Sequence, residues 1–313
     1  MIVICPAAPG SRAGNRTTAL RWAAKLRALG NRVRIREEYL GEPCDVLIAL
    51  HAHKSAESVF RSFDICPGRP VVVSLTGTDL YRDLPGSAVA QRALDIARRI
   101  VVLQPLALER IPAANREKAR VIYQSAVPTA HRDPLDPEHF DISVPGHLRD
   151  VKDPFRAAAA SRLLPATSRV RILQMGRALT AEYRARAERE RIENQRYRWL
   201  GELSRRNSRG IVASSRAVAL TSLMEGGANV ISEAIADDVP VIASRIEGSV
   251  GLLGADYPGL FDAGDTQSLA NLISRQELDA AFRAEMKEAC LRLKPLFEPE
   301  RELQSWKELI EGI

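Results

Sequence analysis

Two glutamates bracket the run Glu225-Gly226-Gly227-Ala228-Asn229-Val230-Ile231-Ser232-Glu233. Glutamates eight residues apart recur at five places in the chain, so spacing alone carries little. This pair differs in enclosing a glycine turn between apolar segments: residues 217–220 read as a buried strand, while Ile231, Ala234 and Ile235 recur at helical spacing. A glycine loop lets a ligand approach the backbone, and a helix start presents unpaired N–H groups and a positive dipole end, here with Asn229 as N-cap. Helical side chains tilt toward the N-terminus, so Glu233 would lean back toward Glu225, and the two carboxylates could hold two sets of hydroxyls. Alternatively, Glu233 complements the helix dipole and Glu225 is a solvated loop residue.

Other loops carry comparable chemistry. Pro145-Gly146-His147-Leu148-Arg149-Asp150-Val151-Lys152-Asp153-Pro154 leads from a strand into a helix; Lys152 and Arg149 could neutralise a diphosphate, or the stretch is a solvated helix entry. Gly10-Ser11-Arg12-Ala13-Gly14-Asn15-Arg16 precedes the first helix but departs from G-x-G-x-x-G, leaving a phosphate-facing loop or a plain surface turn. His51 and His53 follow one strand, and Thr76-Gly77-Thr78-Asp79-Leu80-Tyr81-Arg82-Asp83 follows the next. No third ligand has a suitable spacing from the histidines, so they read as a general base or hydroxyl contacts, and no metal is expected. Asp79 reads equally as an N-cap or an Asx-turn residue.

The elements that must position these residues are short apolar strands alternating with helices. Strands are predicted at 2–4, 33–35, 45–50, 71–75, 100–103 and 120–123, then near 141–144, 170–173, 197–200, 218–220 and 239–243. Runs buried on both faces imply parallel sheets with covering helices, predicted at 17–29, 154–164, 181–192, 202–212, 266–274, 277–293 and 300–310. The proline-rich stretch 126–140 marks a domain boundary. A chain of 313 residues accommodates two domains, here 1–127 and 128–295, with a closing helix in 296–313.

Composition narrows the classes. Cys5, Cys44, Cys66 and Cys290 are scattered, which disfavours a disulfide framework or zinc site. The N-terminus lacks a basic leader and no apolar run approaches a membrane span, so a cytoplasmic protein without membrane insertion is expected. The net charge of +6 is carried mostly by dispersed arginines without any nucleic-acid motif, so nucleic acid is not an expected partner. No feature specifies an oligomeric state.

Two doubly wound domains, phosphate-ready loops in both and a carboxylate pair in the second resemble the α/β GT-B fold, two Rossmann-like domains facing across a cleft. Glu225 to Ala234 with Val239-Pro240-Val241-Ile242-Ala243-Ser244 is similar to the signature of glycosyltransferase family 4, and Gly146 with Lys152 resembles its diphosphate loop. The resemblance implies an acceptor-side first domain and a nucleotide-sugar-binding second domain, with the closing helix crossing back onto the first. It implies Glu225 on the donor sugar, Glu233 on the ribose, Lys152 on the diphosphate, and backbone N–H groups of Gly227, Ala228 and Asn229 in support; Gly226, Val230, Gly146, His147 and Arg149 complete the donor set.

Two positions depart from the family pattern. His147 stands where the family has an arginine, with Arg149 as a substitute, and Thr76 stands where many members have a histidine. Thr76 cannot act as a base at neutral pH, so His51 or His53 would have to compensate.

Leu50-His51-Ala52-His53, Leu75-Thr76-Gly77-Thr78-Asp79-Leu80-Tyr81-Arg82-Asp83, Leu103-Gln104-Pro105-Leu106-Ala107-Leu108 and Met224 to Val230 resemble a narrower group, the selenosugar synthases of selenoneine biosynthesis. That resemblance implies a UDP-sugar donor such as UDP-N-acetylglucosamine or UDP-glucose, selenophosphate as acceptor, and release of UDP. The broader family implies a sugar, lipid or small-thiol acceptor instead. No cofactor is implied, and the chain contains no Asp-x-Asp. An anionic acceptor needs cations: Arg12, Arg16 and Arg82 are the candidates, among Gly14, Asn15, Thr78 and Asp79.

Overall fold

Branched runs such as Val71-Val72-Val73 put side chains on alternate faces of a strand, so burial of every residue demands cover on both sides. The computed structural model describes residues 1–11, 14–130 and 132–313. Its strands form two sheets of six, parallel throughout. One compact unit comprises Met1–Ser125, Glu225–Asn229 and Pro299–Ile313; the other comprises Ala126–Met224 and Val230–Glu298.

The first unit contains β1 (Ile2–Ile4), β2 (Arg34–Arg36), β3 (Leu47–Leu50), β4 (Val71–Ser74), β5 (Arg99–Val102) and β6 (Ala119–Val121), in the order β2-β1-β3-β4-β5-β6. Its first helices are α1 (Gly14–Ala28), α2 (Ala56–Ile65), α3 (Ala88–Ile96) and α4 (Ala113–Arg116). Ile2, Ile4, Leu47, Ala49, Val71 and Val73 form one core with Val59 and Leu94. The intervening Val3, Ile48, Leu50 and Val72 face the other, with Trp22, Leu26 and Trp306. Each strand thus divides its side chains between two cores by its period of two. Helix α1 stops where Gly30 takes φ +85°, letting the Asn31 N–H return to the Leu26 carbonyl at 3.1 Å.

The second unit contains β7 (Phe140–Pro145), β8 (Val170–Met175), β9 (Tyr197–Trp199), β10 (Ala217–Leu220), β11 (Val241–Ser244) and β12 (Leu260–Phe261), in the order β12-β11-β10-β7-β8-β9. Its helices are α5 (Arg156–Ser161), α6 (Ala181–Glu193), α7 (Arg205–Ala213), α8 (Asn229–Ala236), α9 (Glu247–Leu253), α10 (Thr266–Leu278) and α11 (Ala280–Leu293), with Asn229 itself counted in the first unit. The helical break expected between 274 and 277 falls at Asp279, whose carboxylate caps α11 by accepting from the Phe282 N–H at 3.0 Å. Helix α12 (Pro299–Glu311) belongs to the first unit, where Trp306 meets Trp22 edge-on with ring centroids 4.8 Å apart.

Strand order locates the switch points, where open α/β sheets bind ligands. In the first sheet the order reverses between β1 and β3, and in the second between β7 and β10. The loop leading to Gly14 and the loop containing His51 therefore leave the first switch point, while those containing Gly146 and Glu225 leave the second.

Candidate functional site

Within the second unit, the carboxyl ends of β7 and β8 touch. Gly176 has φ +136°, and a Cβ there would lie 2.1 Å from the Gly146 carbonyl oxygen, so no side chain fits. The stem of Lys152 lies over Gly146, within 3.6 Å of where a Cβ would stand. Thr221 Oγ1, just beyond β10, donates to the carbonyls of Lys152 and Asp153 at 2.9 Å, and the Leu223 N–H donates to the Val151 carbonyl at 2.9 Å. The segments leaving both switch-point strands are thereby tied together, and Lys152 is placed by both. Arg149 is exposed at the entrance of the short turn Asp150–Lys152.

His147 Nδ1 accepts from the Arg177 N–H at 3.1 Å, which places the proton of the neutral ring on Nε2. Burial pushes its pKa down; Glu202 opposes this, while Arg177, Arg149 and Lys152 reinforce it. His147 is therefore a neutral N–H donor near pH 7, and positive charge at this loop comes from Lys152 and Arg149.

Glu233 is buried in α8 and receives 2.7 Å hydrogen bonding from Arg205, whose side chain is 54% exposed. Arg205 opens α7, capped by Ser204.

Glu225 to Asn229, expected within the second domain, instead belong to the first unit. The reason is steric: a Cβ on Gly226 would lie 2.5 Å from the Thr76 carbonyl oxygen, and one on Gly227 would lie 2.6 Å from Leu103 Cβ. The paired glycines, read from sequence as making room for a ligand, make room for the backbone beyond β4 and the side chain beyond β5. Ala228 is buried, and Glu225 and Val230 are half-buried. Asn229, expected as an N-cap, is the first residue of α8; its side chain meets Arg21 at 2.6 Å and Thr18 at 3.4 Å.

The loops after β3 and β4 converge on Asp79. Its buried carboxylate accepts from the N–H groups of Ala52, Thr76 and Gly77 at 3.1, 2.9 and 2.8 Å. Asp79 is thus an inward anchor, of the Asx-turn kind, whose oxygens face backbone instead of an acceptor. His51, at φ +73°, accepts from the Lys54 N–H through Nδ1 at 3.3 Å, while Nε2 faces Thr78 Oγ1 at 3.3 Å and Asp83 at 3.7 Å. Burial lowers its pKa, opposed mainly by Asp79. With both nitrogens engaged, the ring orders this loop; it is not poised as a base. His53 is exposed and pairs with Ser87 at 2.8 Å. Arg82 is exposed and pairs with Asp83 at 2.9 Å. Gly14, Asn15 and Arg16 open α1, with Arg16 beside the buried Cys5 thiol. Arg12 lies outside the described residues.

The structure adds Arg205, Arg177, Arg21, Gln124 and Glu302 to the residues around these loops. One signal was available: Thr18, Arg21, Trp22 and Lys25 recur at i, i+3, i+4 and i+7, a single stripe of α1 mixing an indole with polar groups. Among the described residues, no three His, Cys, Asp or Glu side chains converge as a metal site, and no helix is long and apolar enough to cross a membrane.

A family model described as glycosyl transferases group 1 matches residues 131–291, just over half of the chain. HepE of Anabaena, solved with UDP-glucose, superposes with a TM-score of 0.78 at 18% identity, covering 100% of this chain and 99% of that one. The sucrose-phosphate synthase of Thermosynechococcus elongatus gives 0.77 at 16% identity, over 99% and 98%. A glycosyltransferase from Rickettsia africae gives 0.73 at 15%, over 100% and 99%. The two parallel six-stranded sheets with flanking helices match these GT-B structures.

Proposed function

The chain belongs to the glycosyl transferases group 1 family, and we propose that it joins the sugar of a UDP-sugar to selenophosphate, yielding a 1-selenosugar and UDP. The observation that carries the donor half is at the second switch point: a strand-end glycine overlaid by Lys152, with Thr221 beyond β10 tied to the Lys152 carbonyl, and a buried Glu233 in α8, the helix that follows β10 in the chain. UDP-glucose in HepE supports the same donor class. Selenophosphate rests on the resemblance carried by residues 50–53, 75–83, 103–108 and 224–230.

In this reading selenium attacks the anomeric carbon, the bond from that carbon to the diphosphate oxygen breaks, and UDP leaves with the electron pair. Transfer of the phosphoryl group from selenium to water then frees the selenosugar. Charge growing on the diphosphate is met by Lys152 and Arg149, with His147 Nε2–H as a neutral donor. Glu225 would hold sugar hydroxyls and Glu233 the ribose hydroxyls. No cofactor is invoked. Selenium is soft and readily ionised, so no strong base is required, consistent with a Thr at position 76 and a His51 engaged at both nitrogens.

The deciding experiment mixes purified protein with a panel of UDP-sugars and with selenophosphate, phosphate, thiophosphate or sugar acceptors, read by mass spectrometry. A selenosugar together with UDP is the expected result. Glycosylation of another acceptor without selenosugar would leave an ordinary transferase of the family.

A further inference from the structure

Helix α12 contributes a buried carboxylate that no donor role uses. Glu302 Oε1 accepts from Trp22 Nε1 at 2.9 Å and from Arg21 Nε at 3.2 Å; Oε2 accepts from the Ser125 N–H at 3.0 Å and from its hydroxyl, with Lys25 Nζ at 3.6 Å. With Nε fixed, the planar guanidinium of Arg21 can present its two remaining nitrogens in one direction. One donates to Asn229 Oδ1 at 2.6 Å and the other to Gln124 Oε1. Because a guanidinium can only donate, the amide of Gln124 can stand only one way round, with Oε1 toward Arg21 and also accepting from the Thr18 hydroxyl at 2.7 Å. Its Nε2 therefore points at the Gly227 carbonyl and donates at 2.9 Å.

We infer that Arg21 and Gln124 are positioning residues for the donor loop, orienting the N–H groups of residues 227–229 through the Gly227 carbonyl and the Asn229 side chain. The planar trans peptide supplies the mechanism: when the Gly227 carbonyl is held toward Gln124, the Ala228 N–H must point the opposite way, away from the network. Two successive glycines give the backbone wide intrinsic freedom, and this network restricts it beyond the packing against Thr76 and Leu103, lowering what a ligand must freeze out on binding. The inference rests on the donor reading above, and it adds that donor affinity is set partly by α1, the β6 exit and α12, none of which carries a donor-binding residue.

The test uses the full chain and four variants: Arg21→Ala, Arg21→Lys, Gln124→Ala and Trp22→Phe. Hydrogen exchange is measured over residues 226–230 without ligand, and UDP binding by calorimetry. Loss of a charge-assisted or loop-fixing hydrogen bond should speed exchange at Ala228 and weaken UDP binding, each about tenfold, in Arg21→Ala and Gln124→Ala. Arg21→Lys should be intermediate. Trp22→Phe, which removes one donor to Glu302 but none to the loop, should lower the unfolding midpoint and leave both readouts unchanged. Gln124→Ala spares Glu302, so it remains informative if Arg21→Ala does not fold. Unchanged exchange in Gln124→Ala overturns the positioning whatever the wild type binds; a wild type that binds no UDP overturns the donor reading whatever the exchange rates.

Discussion

Two buried glutamates, one in each unit, are treated in opposite ways by their surroundings. Glu302 is enclosed by an indole, a guanidinium, a backbone N–H and a hydroxyl, with an ammonium nearby. Glu233 is also buried but, among the described residues, its carboxylate meets the guanidinium of one largely exposed arginine. A carboxylate has about four acceptor sites. Those of Glu302 are taken up within the protein, so removing it disturbs the fold. Those of Glu233 meet Arg205 alone among the described residues, and on the proposed donor role a vicinal pair of ligand hydroxyls would suit the rest. With the donor role proposed for Glu233, burial does not separate a structural from a binding carboxylate; the completeness of the donor shell does.

The contrast can be broken most severely at Glu302. Glu302→Ala leaves Arg21 beside a buried void with Trp22 and Ser125 unsatisfied, and should cost about 3–5 kcal/mol in denaturant unfolding. Glu233→Ala is expected to move stability little but to weaken UDP binding by about 10–100-fold in calorimetry, as lost hydrogen bonds to a charged group predict. The reverse pattern would show that the roles have been exchanged. Arg205→Ala should change stability by less than about 1 kcal/mol, the usual worth of an exposed ion pair, and UDP affinity only severalfold. A large loss of affinity would mean that Arg205 itself touches the nucleotide.

The smallest effect concerns pH and the two histidines nearest these sites. Burial lowers the pKa of His51 and His147 below the ordinary 6.5. Between the folded value and 6.5 the unfolded chain binds more protons, so this contribution to stability is fully present above pH 6.5 and is lost as pH falls through the folded values. Urea midpoints measured across that window should decline toward acid, less steeply in His147→Asn.

Much of this organisation is legible before any coordinates. Val71 to Val73 and residues 217–220 announce strands because branched or small apolar runs between turn signals have few other uses. The Glu225 to Glu233 pair is visible because a glycine turn sits between two periodicities. What stays hidden is partnership across sequence. Glu302 lies 281 residues from Arg21, and no local pattern links them. The glycines are recognisable as a close approach, but Thr76 and Leu103, the residues approached, are more than 120 positions away in sequence. Asp79 illustrates the same limit at short range: its side chain suits an N-cap and an Asx turn equally, and the three N–H groups directed at it decide for the turn.

The first unit's dependence on α12 has a consequence for how the protein is made. Its β-sheet is encoded entirely within the first 125 residues, yet the face bearing Trp22 is covered by Trp306 and Leu309, which emerge from the ribosome after the whole of the second unit. Until then an indole and its aliphatic neighbours stand open to water or to other nascent chains, the kind of transient surface on which chaperones act. The order of synthesis and the order of completion are thus inverted, with the unit begun first finished last.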